Sequence, residues 1–69
     1  MPANLSRKQP SPRQQEVLDL LVRGMTNKEI GTRLGISERG AKHHVSRLFV
    51  LYGVASRAEL IAIVLGRKR

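Results

Sequence analysis

Sixty-nine residues without a cysteine make one small domain, with a marginal core and no disulfide to staple it. Thirteen Lys and Arg against five Asp and Glu leave a formal net charge of +8, which points to a polyanionic partner, nucleic acid before an anionic membrane. Two aromatic residues, Phe49 and Tyr52, are too few for the stacking platforms of a single-strand binder, no apolar run nears the roughly 20 residues of a membrane span, and the N-terminus lacks the apolar core of a signal peptide.

Residues 1–10, MPANLSRKQP, are poor in apolar side chains and close on Pro10. They read as a flexible arm or the remnant of a linker, with Arg7 and Lys8 as the groups that would meet phosphate. The first helix is expected over about residues 11–23. Ser11 caps it, Pro12 takes its first position, and Gln14 supplies the reciprocal half of a capping box. Val17, Leu18, Leu20, Leu21 and Val22 give it a broad apolar face, and Gly24 stops it. Glu16 either pairs with an arginine of another helix, Arg57 being the candidate, or is an ordinary exposed carboxylate.

The second helix is expected over residues 27–34. Thr26 caps it, Glu29 completes the box, and Gly35 takes the left-handed conformation that ends it. Ile30 and Leu34 lie one turn apart and should pack inward, with Met25 and Ile36 closing the ends. Gly31 sits mid-helix, where glycine costs roughly 1 kcal/mol relative to alanine, so it is read as making room for the close approach of the next helix. Asn27 and Lys28 fall in the first turn, whose unpaired N–H groups and positive dipole end suit a phosphate.

The third helix, expected over residues 38–52 behind a Ser37 cap, divides cleanly on a helical wheel. Ala41, Val45, Leu48 and Tyr52 form a stripe that can face a core. Arg39, Lys42, His43 and Ser46 form the opposite one, with Arg47 at its margin. An apolar edge that holds the helix and donors that project from it are what a major-groove reader requires. Gly40 weakens the first turn and exposes backbone, which allows a phosphate to come close. His43 and His44 diverge by about 100° on a helix and so cannot share a metal; His43 joins the basic face and His44 a packed flank. Val50 and Leu51 fall outside the core stripe and are either covered by the last helix or form a contact surface.

Gly53 ends the third helix, and Ser56 with Glu59 forms another capping box opening a fourth over residues 57–65. From Ala58 to Leu65 nearly every residue other than Glu59 is apolar. A terminal helix on so small a body buries one side, so Leu60, Ile61, Val64 and Leu65 are assigned to a homodimer contact, with a monomer bearing a greasy helix as the alternative. Residues 11–66 are thus the folded domain and 67–69 a basic tail.

With the helices in place, the chain resembles the LuxR-type (NarL/FixJ- or GerE-like) helix-turn-helix domain of bacterial transcription regulators. The matching residues are Ser11-Pro12-Arg13, Glu16-Val17-Leu18, Gly24 to Ile30, Arg33 to Glu38, Lys42, His44, Gly53-Val54 and Ser56 to Leu60. The resemblance implies an all-α, four-helix domain whose third helix enters the major groove and whose fourth forms a dimer contact. It implies base-facing positions at Lys42, His43 and Ser46 with Arg47 beside them. Backbone contacts are implied at Thr26, Asn27, Lys28 and near Gly40, and Arg39 joins them from the wheel. The expected partners are double-stranded DNA, a second copy and RNA polymerase, in the cytoplasm at the nucleoid, with no cofactor and no metal. The chain departs from the family where Gly40-Ala41 replaces threonine and a β-branched residue, Gly31 replaces alanine, Leu51-Tyr52 replaces Lys-Leu, and Pro10 replaces leucine.

No residue set supports catalysis, because Ser37, the histidines and Asp19 lie on separate faces of short helices. The leading expectation is sequence-specific double-stranded DNA binding by a dimeric regulator. The alternatives are a helix-turn-helix-derived protein-interaction module with weak or lost DNA binding, and non-specific coating of nucleic acid by a basic domain.

Overall fold

The computed structural model describes residues 9–66; the expectations for Arg7 and Lys8 of the arm and for the tail at 67–69 lie outside the described residues. Four helices and no strand occur among them: α1 Pro12–Val22, α2 Asn27–Leu34, α3 Glu38–Tyr52 and α4 Arg57–Gly66. The all-α class is as expected, and α4 runs one residue further than its predicted end.

Local chemistry sets the boundaries. At α1 the Gln14 N–H donates to Ser11 Oγ at 3.2 Å and the Ser11 N–H donates to Gln14 Oε1 at 2.9 Å, the reciprocal pair of a capping box. Thr26 and Glu29 repeat it at α2, at 3.1 and 2.8 Å. Gly35 and Gly53 end α2 and α3 at φ +72° and +68°, left-handed values that a residue with a Cβ adopts only at a cost. At α4 the Glu59 N–H donates to Ser56 Oγ at 3.2 Å, but Glu59 Oε1 reaches past Ser56 to the Ala55 N–H at 2.8 Å. The expected box is therefore one residue wider on its return arm.

The core is a single cluster of Val17, Leu18, Leu20 and Leu21 from α1, Ile30 from α2, Ala41, Val45 and Leu48 from α3, and Leu60 from α4. Leu34, Met25, Ile36, Phe49 and Tyr52 pack around it, half-buried. The main packing is of α2 against α3, with α1 behind both; α4 leaves α3 at a bend of 59° and rests on α1 and α3. Fully burying a leucine or isoleucine contributes about 1.5–3 kcal/mol, so nine buried apolar residues drawn from all four helices make the fold one cooperative unit.

One expectation is corrected here, and of the two alternatives for Glu16 the exposed carboxylate holds. Leu60 does not lie on an outer contact face: its side chain is 0% exposed and belongs to the protomer's own core. Glu16 does not reach Arg57. It pairs with Arg13 one turn earlier at 3.2 Å, both side chains well exposed, while Arg57 turns to the α1–α2 link.

Gly31 does make room for a close approach. A Cβ built on it would lie 2.7 Å from the Ile36 carbonyl oxygen and 3.1 Å from Ser37 backbone atoms. The chain that presses there is the turn leading into α3, so glycine at this point sets how tightly α3 is drawn against α2.

Candidate nucleic-acid interface

The site is built on α3. Ala41, Val45 and Leu48 are buried along one edge, and they fix the helix so that Arg39, Lys42, His43, Ser46 and Arg47 on the other are all exposed. The four residues expected to read bases are therefore on the surface, with Arg39 of the expected backbone contacts beside them, and all of the five but Ser46 carry amino, guanidinium or imidazole donors. Tyr52, expected in the core stripe, is half-buried at its end. Arg47 stands apart from Lys42 and His43: it lines a groove with Gln9, Gln14, Val50 and Leu51, toward the start of α1.

The helix N-termini complete the surface. At α2 the capping box uses the Thr26 and Glu29 N–H groups, which leaves those of Asn27 and Lys28, in the first turn, without a capping partner. Lys28 is exposed beside them and Asn27 half-buried. The starts of α2 and α3 are brought together, since Gly24, Met25, Thr26, Asn27, Glu38 and Arg57 line one shallow cleft. At α3 the Gly40 N–H donates to Ser37 Oγ at 2.9 Å. The Gly40 N–H is therefore committed to the expected Ser37 cap, and a Cβ at Gly40 would meet Ser37 Oγ at 3.2 Å.

His44 is half-buried, with its Nδ1 enclosed and without a hydrogen-bond partner among the described residues. Its ring meets that of His43 edge-on, centroids 6.1 Å apart. The two rings are thus sorted as expected, one on the outer face and one packed on the flank. Among the described residues no three His, Asp or Glu side chains gather as a metal site would require. Ser37 and Asp19 are each committed locally, Ser37 to its cap and Asp19 Oδ1 to the Gln15 side chain at 2.9 Å.

Arg57 was singled out only as a partner for Glu16. Half-buried at the start of α4, it donates from one guanidinium nitrogen to the Met25 carbonyl at 2.9 Å and from the other to Asn27 Oδ1 at 2.8 Å. It thereby links α4 to the first turn of α2 across thirty residues of sequence. No local pattern announces such a contact; its membership in the Ser56 to Leu60 match was the available signal.

On α4 the apolar surface is unevenly shared. Ile61 and Val64 are half-buried against the core, whereas Ile63 and Leu65 are 37% and 52% exposed. Val50, on the last turns of α3, is 82% exposed. No single helix among the described residues is long and apolar enough to cross a membrane.

Comparison with known proteins agrees with this geometry. Residues 8–64 match the GerE model, described as bacterial regulatory proteins, luxR family. The response regulator Rre1 of Synechocystis sp. is 47% identical over 55 residues, covering 80% of this chain and 24% of that protein. The probable transcriptional regulator ycf29 of Cyanophora paradoxa is 46% identical over 55 residues, covering 80% and 26%. The spore germination protein GerE of Bacillus subtilis is 38% identical over 53 residues, covering 77% and 72%. The chain thus spans about a quarter of the length of Rre1 and ycf29 but most of GerE. No solved structure matches. A helix-turn-helix with an outward basic third helix, matched along most of its length, places the chain in the luxR family of bacterial regulatory proteins.

Proposed function

We propose that this domain binds double-stranded DNA sequence-specifically and regulates transcription by occupying a promoter. The observation that carries the reading is the two-sided α3: Ala41, Val45 and Leu48 are buried while Lys42, His43, Ser46 and Arg47 are exposed. In the major groove Lys42 would donate to guanine O6 and N7, His43 and Ser46 would contact neighbouring base edges, and Arg47 would reach a base at the margin. Thr26, Asn27, Lys28 and Arg39 would contact phosphates, with Gly40 allowing the backbone to come near. These contacts set register and supply affinity, and the base contacts supply choice.

The functional unit in this proposal is a homodimer joined through α4. Since Leu60 serves the core, the contact centres on Ile63 and Leu65, with Ile61 and Val64 at its base. A symmetric pair would set two α3 helices on half-sites about one helical turn apart. The regulator acts at the nucleoid in the cytoplasm, with RNA polymerase as a further partner.

The test is binding to a specific and a scrambled duplex across a salt series. Lys42→Ala lowers the preference for the specific duplex, by ~1–3 kcal/mol where it meets a guanine. Lys28→Ala weakens both duplexes alike and flattens the salt slope. An unchanged specific-to-scrambled ratio in Lys42→Ala removes that side chain from base reading.

A second reading, a protein-interaction module, is favoured by one feature: Val50, 82% exposed, flanks the groove that Leu51, Arg47, Gln9 and Gln14 line. Under that reading Val50→Lys abolishes partner binding, while Lys42→Ala leaves it intact.

A further inference from the structure

We infer that Arg57 is a positioning residue for the DNA backbone contact, orienting the Asn27 amide so that its N–H₂ group is offered to a phosphate. The inference rests on the DNA-binding reading above and adds to it a residue that touches no DNA.

The argument begins from what each group can do. A guanidinium has donors and no acceptor, so the amide it meets must present oxygen. One Arg57 nitrogen bonds Asn27 Oδ1 at 2.8 Å while the other is held by the Met25 carbonyl at 2.9 Å. With both ends fixed, the guanidinium plane has one orientation, and it settles which way the Asn27 amide faces. The Nδ2 donors then point away from Arg57. Among the described residues, the hydrogen bond of the Asn27 side chain goes to Arg57 alone.

Location gives that orientation its consequence. Asn27 is the first residue of α2, beside the uncapped Asn27 and Lys28 N–H groups and the exposed Lys28 side chain. It lies in the cleft that Thr26, Glu38 and Arg57 share, where the starts of α2 and α3 meet. A phosphate seated on α2 would find two backbone donors, an ammonium and, because of Arg57, an amide turned donor-side out. Without Arg57 the amide can flip and present its oxygen, which repels a phosphate.

A double-mutant cycle on duplex affinity tests this, using Arg57→Lys so that net charge is constant. Arg57→Lys alone weakens binding to specific and scrambled duplexes by roughly fivefold, the size of one hydrogen bond. Asn27→Ala alone has a similar effect. The double variant binds like Asn27→Ala alone, because there is no amide left to orient. Losses that multiply overturn the assignment and make Arg57 a structural residue only, and so does Arg57→Lys binding as tightly as the parent.

Asn27→Asp supplies a second readout that does not depend on Arg57→Lys folding. It keeps an acceptor for Arg57 and favours the helix dipole, so its melting temperature equals or exceeds the parent's while its DNA affinity falls. An Asn27→Asp chain that binds DNA as tightly as the parent overturns the use of the amide. A parent that binds no duplex overturns the DNA-binding reading itself, and this inference with it. A parent that binds while the cycle is multiplicative overturns the role of Arg57 alone.

Discussion

Replacing Gly31 by alanine sets helix propensity against a close backbone approach. In an exposed helix the change gains about 1 kcal/mol. Here the new Cβ would lie 2.7 Å from the Ile36 carbonyl oxygen and 3.1 Å from Ser37 backbone atoms. An ordinary contact is about 0.7 Å longer than the first of these, and no flexible side chain is present to swing aside. The turn itself must move, and overpacking of that kind costs about 1–3 kcal/mol. The net is a loss of about 1 kcal/mol, which lowers the melting temperature of a domain this size by about 4–8 °C. Gly40→Ala is the internal control. Its Cβ would meet Ser37 Oγ at 3.2 Å and Ile36 side-chain carbons at 3.9 Å, contacts that a small shift of side chains relieves. It retains the propensity gain, reduced in the first turn to about half a kcal/mol. Thermal and urea unfolding followed by circular dichroism compare the two. If both substitutions raise the melting temperature equally, the close approach at Gly31 carries no strain and the reasoning is wrong.

Other outcomes follow from the same structure. Ser37→Ala removes the acceptor for the Gly40 N–H at 2.9 Å and costs about 1 kcal/mol in urea unfolding. Glu16→Gln changes stability by less than about 0.5 kcal/mol, because its pair with Arg13 is exposed on both sides. Leu65→Lys, at a position 52% exposed, leaves the fold intact and shifts the sedimentation coefficient of the proposed dimer to that of a monomer. A parent chain that already sediments as a monomer, free and on DNA, removes the dimer.

What could be read in advance was local. Ser11 with Gln14 and Thr26 with Glu29 announce their caps because partner and cap lie three residues apart, and Gly35 and Gly53 announce their stops because few residues tolerate positive φ. The wheel of α3 was equally legible: polar residues mark its outer edge, so burial of Ala41, Val45 and Leu48 followed. On α4 the wheel has little to work with, because an almost uniformly apolar helix carries few polar markers of its outer face. Leu60 was accordingly assigned to a partner when it serves the core, and Ile63, the more exposed residue, was passed over. Arg57 was beyond local patterns for a different reason. Several acceptors compete for an arginine, and the fold chose the Met25 carbonyl and Asn27 over Glu16 by bringing the α1–α2 link to the start of α4. At Gly40 both features were legible: glycine is a weak helix former, and the expected Ser37 cap lies three residues before the N–H it accepts.

The central claim is that the outward edge of α3 chooses a DNA sequence. Selection of bound duplexes from a random pool, run in parallel with the parent and with Lys42→Ala, measures that choice directly. The parent should enrich a motif, and Lys42→Ala should relax that motif at a guanine position while leaving its other positions in place. A parent pool that stays as random as its input, or an identical motif from both proteins, would contradict the assignment of Lys42 to base reading.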